Sequence, residues 1–228
     1  MRFALFAIAF SYLALFAWSA PVNQHHDTCN AKKVRELAHT LDMRELDARA
    51  LPEKLVEIDG NIYHLRRHSN QGVHGVTYQV QCGSYKGAFA KTKVTSQEEH
   101  ATYDVGALLF AGTDHKHRRW LFIKPSPGVA FDKTHAYLRV RHDAQACHHL
   151  LNHAADLATA AFEHYYTTTH WAHGDLTRGN ILFDDHITSA NLIDWDYADR
   201  PKNAPHPADI HSKVVRNLGH LCPPLRHH

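Results

Sequence analysis

Two short segments in the carboxy-terminal third bring together residue types suited to metal-assisted chemistry on a phosphate. In His173-Gly174-Asp175-Leu176-Thr177-Arg178-Gly179-Asn180, an aspartate and an asparagine stand five positions apart on what reads as a short loop. From such a loop both can face one site, the aspartate accepting a proton from a substrate hydroxyl and the asparagine coordinating Mg²⁺ beside it. Fourteen residues beyond Asn180, the apolar pair Leu192-Ile193 leads to Asp194 in Ile193-Asp194-Trp195-Asp196. A carboxylate there can bridge a metal to nucleotide phosphates.

These residues need a scaffold, and the hydrophobic patterning supplies one. Over Asp143–Thr167 the positions Cys147, Leu150, Leu151, Ala154, Leu157, Ala158, Ala161, Phe162 and Tyr165 recur at helical spacing, predicting a long core-facing helix just before the first segment. Short strands are expected at Ile181–Phe183 and Asn191–Ile193, separated by a turn at Asp184–Asp185. Nearer the amino terminus, Val56 to Val94 alternates as three or four antiparallel strands, with turn chemistry at Asp59-Gly60 and Gly83–Gly87. Ser96–Ala111 reads as one helix, Arg119–Lys124 as a further strand, and Pro125-Ser126-Pro127-Gly128 as a break. A last helix is predicted over Asp209–Leu221, and an amphipathic one over Lys32–Leu51, stopped by Pro52. A sheet-rich front and a helix-rich back joined by a Pro/Gly hinge predict an α+β chain of two lobes with function in the cleft between them.

Composition bounds the setting. Arg2, the apolar run Phe3–Phe16 and the small residues Ala17, Ser19 and Ala20 have the layout of a secretory signal peptide, with cleavage expected after Ser19. The mature chain is then expected to be secreted and extracellular, without a membrane attachment. Cys29, Cys82, Cys147 and Cys222 all follow that segment, so two disulfides are expected, in any of three connectivities. A formal net charge of +2, with no concentrated basic stretch, argues against a nucleic-acid partner. The 23 histidines are scattered without finger spacing or an HExxH motif and read as solvated surface rather than as a metal site.

The His-x-Asp loop with its downstream Asn180, followed by Asp194-Trp195-Asp196, resembles the protein-kinase-like superfamily, and the His-Gly-Asp form is most similar to aminoglycoside and choline kinases and to small secreted fungal kinase-like proteins. The resemblance implies a two-lobed protein-kinase-like fold with a small antiparallel sheet lobe over residues 56–124 and a reduced helical lobe over 125–228, preceded by a signal over 1–19 and a helical extension over 20–55. It implies ATP and Mg²⁺ as cofactors, Asp175 as the proton acceptor, and Asn180 and Asp194 as metal ligands. Asn70-Gln71-Gly72-Val73-His74-Gly75 fills the place of the glycine-rich loop, so Gly72 and Gly75 would cover the phosphates, with Asn70 standing where the first glycine would be. Phe89-Ala90-Lys91 resembles the strand whose lysine holds the phosphates, with Lys93 as a rival, and Glu99 is the implied partner of that lysine, with Asp104 as an alternative. Trp120–Gly128 matches the strand and hinge that grip the adenine, and Asp209 resembles an anchor for the catalytic loop.

Only 34 residues follow Asp194. That leaves little room for the segments that hold a peptide substrate, and Gly174 replaces the arginine that pairs with an activation-loop phosphate. Two functions follow: transfer of the γ-phosphate of ATP to an unidentified hydroxyl acceptor, or a catalytically weak, pseudokinase-like secreted effector that binds a protein partner.

Overall fold

The computed structural model describes residues 53–69 and 76–225. The signal segment, the amphipathic stretch 32–51, Cys29 and the glycine-bearing loop 70–75 lie outside them. Among the described residues no helix is long and apolar enough to cross a membrane.

Alternating side chains build the first half. Strands β1 (Glu53–Ile58) and β2 (Asn61–Ser69) form a hairpin through Asp59 and Gly60, both at positive φ, the backbone a two-residue turn requires. Strands β3 (Thr77–Val80) and β4 (Phe89–Thr92) continue it, followed by helix α1 (Ser96–Asp104) and strands β5 (Leu108–Thr113) and β6 (Arg119–Ile123). The result is a six-stranded sheet in the order β1-β2-β3-β4-β6-β5, antiparallel throughout, so the chain is α+β as its pattern predicts. Val56, Ile58, Leu65, Val80, Ala90, Trp120 and Phe122 share one buried cluster on this sheet.

The helix expected over Ser96–Ala111 is in fact α1 followed by β5. Its end is a Schellman motif: Gly106 takes φ +73°, its N–H bonds to Tyr103 O, and the Ala107 N–H bonds to Thr102 O. Once the chain has turned there, Leu108–Thr113 pairs with β6 rather than extending the helix.

The second half is arranged around helix α3 (Ala144–Thr169), which follows a short helix α2 (His135–Val140). Asp143 caps its start by accepting from Ala146 N, and His170 ends it in the left-handed region. Its buried residues Cys147, Leu151, Ala154, Ala158 and Phe162 belong to the predicted stripe, with Ala155 and Thr159 added. Against it pack helix α4 (Pro207–Leu218) and a small sheet of β7 (Val129–Ala130), β8 (Ile181–Phe183) and β9 (Ala190–Leu192). The disulfide Cys147–Cys222, both of whose cysteines lie among the described residues, ties the start of α3 to the residues after α4.

Candidate functional site

The hairpin β8–β9 sets the geometry. Its register pairs Ile181 with Leu192 and Phe183 with Ala190. At the open end the Ile193 N–H donates to Asn180 O at 3.0 Å, so Asn180 and Asp194 leave the hairpin side by side. Asp194 takes φ +63° and its side chain is 47 % exposed, an available carboxylate held on an unusual backbone.

The loop before β8 is fixed to the same end by His173. Its Nδ1 accepts from the Asp175 N–H at 3.3 Å and its Nε2 lies 2.8 Å from Ile193 O, while the ring meets Trp195 edge-on at 4.8 Å. Burial pushes the imidazole pKa down, so the ring is neutral, with the proton on Nε2 donated to Ile193 O. Asn180 Nδ2 donates to Asp175 Oδ2 at 2.8 Å and to Asp175 O at 3.0 Å. The amide nitrogen orients the aspartate, which leaves the Asn180 carbonyl oxygen as the atom suited to a cation. Gly174 is required here: a Cβ at that position would lie 2.0 Å from Tyr197 O, too close for any larger residue. The glycine that distinguishes this loop from a His-Arg-Asp version thus has a packing cause.

Lys91 joins the two halves. It sits on β4 with 9 % of its side chain exposed, and Nζ lies 2.7 Å from Glu98 Oε1, 2.9 Å from Asp194 Oδ1 and 3.7 Å from Asp196 Oδ2. Burial disfavours the ammonium, but Asp194 and Glu98 outweigh it and raise its pKa, so the lysine stays charged. Lys93, the rival, lies beyond the end of β4 and is exposed.

The glutamate on Lys91 is Glu98. Glu99, singled out from the sequence, faces outward and accepts from Arg119 Nε at 2.8 Å. Consecutive helical residues point about 100° apart, so only one of the two can face inward. The helix start is local, with Thr95 capping α1 by accepting from the Glu98 N–H at 3.1 Å, but which of the two glutamates meets Lys91 is set by how α1 packs on the sheet. Asp104, the other alternative, accepts from Trp171 Nε1 at 2.8 Å and from Arg200. Burial pushes the Glu98 carboxyl up, against the pull of Lys91, and its Oε2 has no hydrogen-bond partner among the described residues.

Gly72 and Gly75 lie outside the described residues; the strands flanking them, β2 and β3, are paired, and Thr77 at the start of β3 is opposite Lys91. Trp120–Ile123 lies beside Lys91 in the sheet, with Leu121 opposite it. Gly128 in the hinge takes φ +107°, and a Cβ there would meet Phe183 O at 2.6 Å. Asp209 is exposed at the start of α4, and the contacts from that helix to the loop come from Lys213 and Asn217 instead.

Asn180 Oδ1 and the Asp194 carboxylate are hard oxygen donors at one edge of the site, and Lys91 is a buried cation beside them. Mg²⁺ suits such a place, because it takes one or two protein ligands and completes its shell with water and substrate phosphates. Among the described residues no group of three or more His, Cys, Asp or Glu side chains is placed to hold a metal by protein ligands alone. No protein-family model matches the chain, and no curated protein matches it.

Proposed function

We propose that this protein is a secreted, two-lobed, kinase-like phosphotransferase that moves the terminal phosphoryl group of Mg²⁺·ATP to a hydroxyl acceptor. One observation carries the reading: Lys91 Nζ is bonded at once to Glu98 on α1 and to Asp194, which lies 103 residues away and beside Asn180. The Lys91–Glu98 pair is buried, unlike a surface ion pair, while Asp194 remains 47 % exposed; burying two charges and ordering a third against them is costly unless something gains from it.

Lys91 would release Asp194 and bind phosphate oxygens, with Glu98 holding its chain in place. Asn180 and Asp194 would hold the metal, which when bound neutralises charge on the phosphates. Asp175, oriented by Asn180 and by the His173 ring, would take the proton of the acceptor hydroxyl. The chain's part in catalysis is therefore positioning and charge complementarity.

The test is the thermal midpoint of the protein with and without Mg²⁺ and ATP, beside Lys91→Met and Asp194→Asn. At about 100 times the dissociation constant, a ligand that binds only the folded state adds roughly 2.7 kcal/mol. A metal-dependent rise in the wild type that both variants lose supports the reading. No rise at millimolar nucleotide overturns it and leaves the protein-binding effector as the function.

A further inference from the structure

We propose that helix α4 is the device that sets the backbone of Asp175, with Lys213 and Asn217 as its positioning residues; this rests on the reading of Asp175 as the proton acceptor. Lys213 Nζ donates to Gly174 O at 2.6 Å, and Asn217 Nδ2 donates to Leu176 O at 2.7 Å. These are the carbonyls on either side of Asp175. The two donors are four residues apart, one turn along a single face of the helix. The loop therefore has both of its peptide oxygens around the reactive aspartate held from the same side, while Asn180 holds the carboxylate from the other end of the segment.

The donors can hold the loop only because the helix that carries them is itself held. Ile210, Val214 and Leu218 on its inner face are buried in the core that contains α3. Just beyond its end, Tyr137 Oη donates to Leu221 O at 2.8 Å, and Cys222 is bonded to Cys147 on α3. Lys213 has no carboxylate within ion-pair distance among the described residues, so its ammonium is committed to a neutral carbonyl beside Asp175 rather than to charge compensation at the surface. Its charge also reaches the His173 ring, which feels Asp175 and Asp194 as well. A lysine that merely covered apolar surface would need none of these relations.

The experiment compares wild type with Lys213→Met, Asn217→Leu and Lys213→Arg in three readouts: amide exchange over residues 173–177, Mg²⁺·ATP affinity by thermal shift, and steady-state ATP hydrolysis. Exchange in that segment is expected to rise about 10-fold or more in Lys213→Met and Asn217→Leu, the mark of a local opening. Hydrolysis is expected to fall by roughly 10- to 100-fold, the size expected from a misplacement near 1 Å. Affinity for Mg²⁺·ATP stays within about twofold, since Lys91 and Asp194 are untouched, and Lys213→Arg restores the exchange pattern. A purely structural helix would lose affinity and thermal midpoint together. Unchanged exchange over 173–177 in both variants overturns the proposal whatever the nucleotide does. A wild-type chain that binds no Mg²⁺·ATP overturns the catalytic reading instead, and the clamp is then decided by exchange alone.

Discussion

A single step along α1 separates Glu98, bonded to Lys91 inside the protein, from Glu99, bonded to Arg119 near the surface. Their substitutions should behave differently. Glu98→Gln keeps the shape but removes the carboxylate that holds a buried ammonium, and breaking such a pair costs about 3 kcal/mol or more where the remaining charge finds no substitute. Here Asp194 remains beside Lys91, so the expected result is a modest loss of thermal midpoint with a loss of Mg²⁺·ATP affinity of about 10-fold, as Lys91 shifts toward Asp194. Glu99→Gln removes an exposed pair of the kind worth about 0–1 kcal/mol and should leave nucleotide affinity unchanged. Titration of both variants with Mg²⁺·ATP under a thermal ramp checks this. Equal effects would mean that the Glu98 contact carries no function.

The hairpin β8–β9 depends on a turn with its own polar network. Asp184 accepts from Thr188 Oγ1, from Thr188 N at 2.8 Å, from Ser189 Oγ at 3.1 Å and from His186 N at 3.1 Å. Those donors hold Ile187, a buried β-branched residue, at φ +55°, where such residues rarely sit. The bond from Thr188 is the largest reason the Asp184 carboxyl is pushed down to about 2, with the backbone N–H groups adding to it. A carboxylate whose folded pKa lies below its unfolded value stabilises above the unfolded pKa, here near pH 3.8, and loses that contribution as pH falls through the folded one. Asp184→Ala should therefore lower the thermal midpoint at pH 5, with the gap to wild type closing between about pH 4 and pH 2. A gap that stays constant over this range would show that the network does not depend on the charge. The same hairpin carries Asn180 and Asp194 at its other end, so Mg²⁺·ATP affinity should fall with the loss of the turn.

Two buried clusters, one on the six-stranded sheet and one around α3, meet chemically at Lys91 and Asp194. The carboxy-terminal cluster is closed by the Cys147–Cys222 bridge, which spans 75 residues and encloses the whole candidate-site loop from His173 to Asn180. In the chain-entropy account a loop of that length restricts the unfolded state by roughly 4 kcal/mol. Replacing both cysteines by alanine is expected to lower the unfolding free energy by a large part of that amount, read as a lower denaturant midpoint at unchanged slope, without changing the packing of the amino-terminal sheet. Equilibrium unfolding with tryptophan fluorescence measures it. An unchanged midpoint would mean that the unfolded chain is already restricted without the bridge. Because α4 ends next to Cys222, loss of the bridge should also raise amide exchange at residues 173–177.

Much of the candidate site was legible because its signals are local. Asp175, Asn180 and Asp194 announce themselves by spacing within a loop and a hairpin, and Ile181–Phe183 was placed by apolar residues beside turn residues. The stripe of α3 followed from periodicity, whereas Lys91 was singled out only by the resemblance of Phe89-Ala90-Lys91 to a known strand motif, with Lys93 left open beside it. What the tertiary structure decided are choices between equivalent neighbours. Glu98 rather than Glu99 meets Lys91 because the roll of α1 against the sheet determines which side turns inward. The helix stops at Asp104 because Gly106 turns the chain and β6 offers Leu108–Thr113 a partner. Cys147 joins Cys222 because α3 and α4 pack together, a fact absent from the spacing of the cysteines. Lys213 and Asn217 carry no sequence signal for the same reason: a lysine and an asparagine four apart on a helix are ordinary surface residues until the helix lies against the loop at Asp175. Hydrogen bonding within a few residues is written in the local order of the chain, whereas contacts between residues such as Lys91 and Asp194, 103 positions apart, exist only once whole elements have packed.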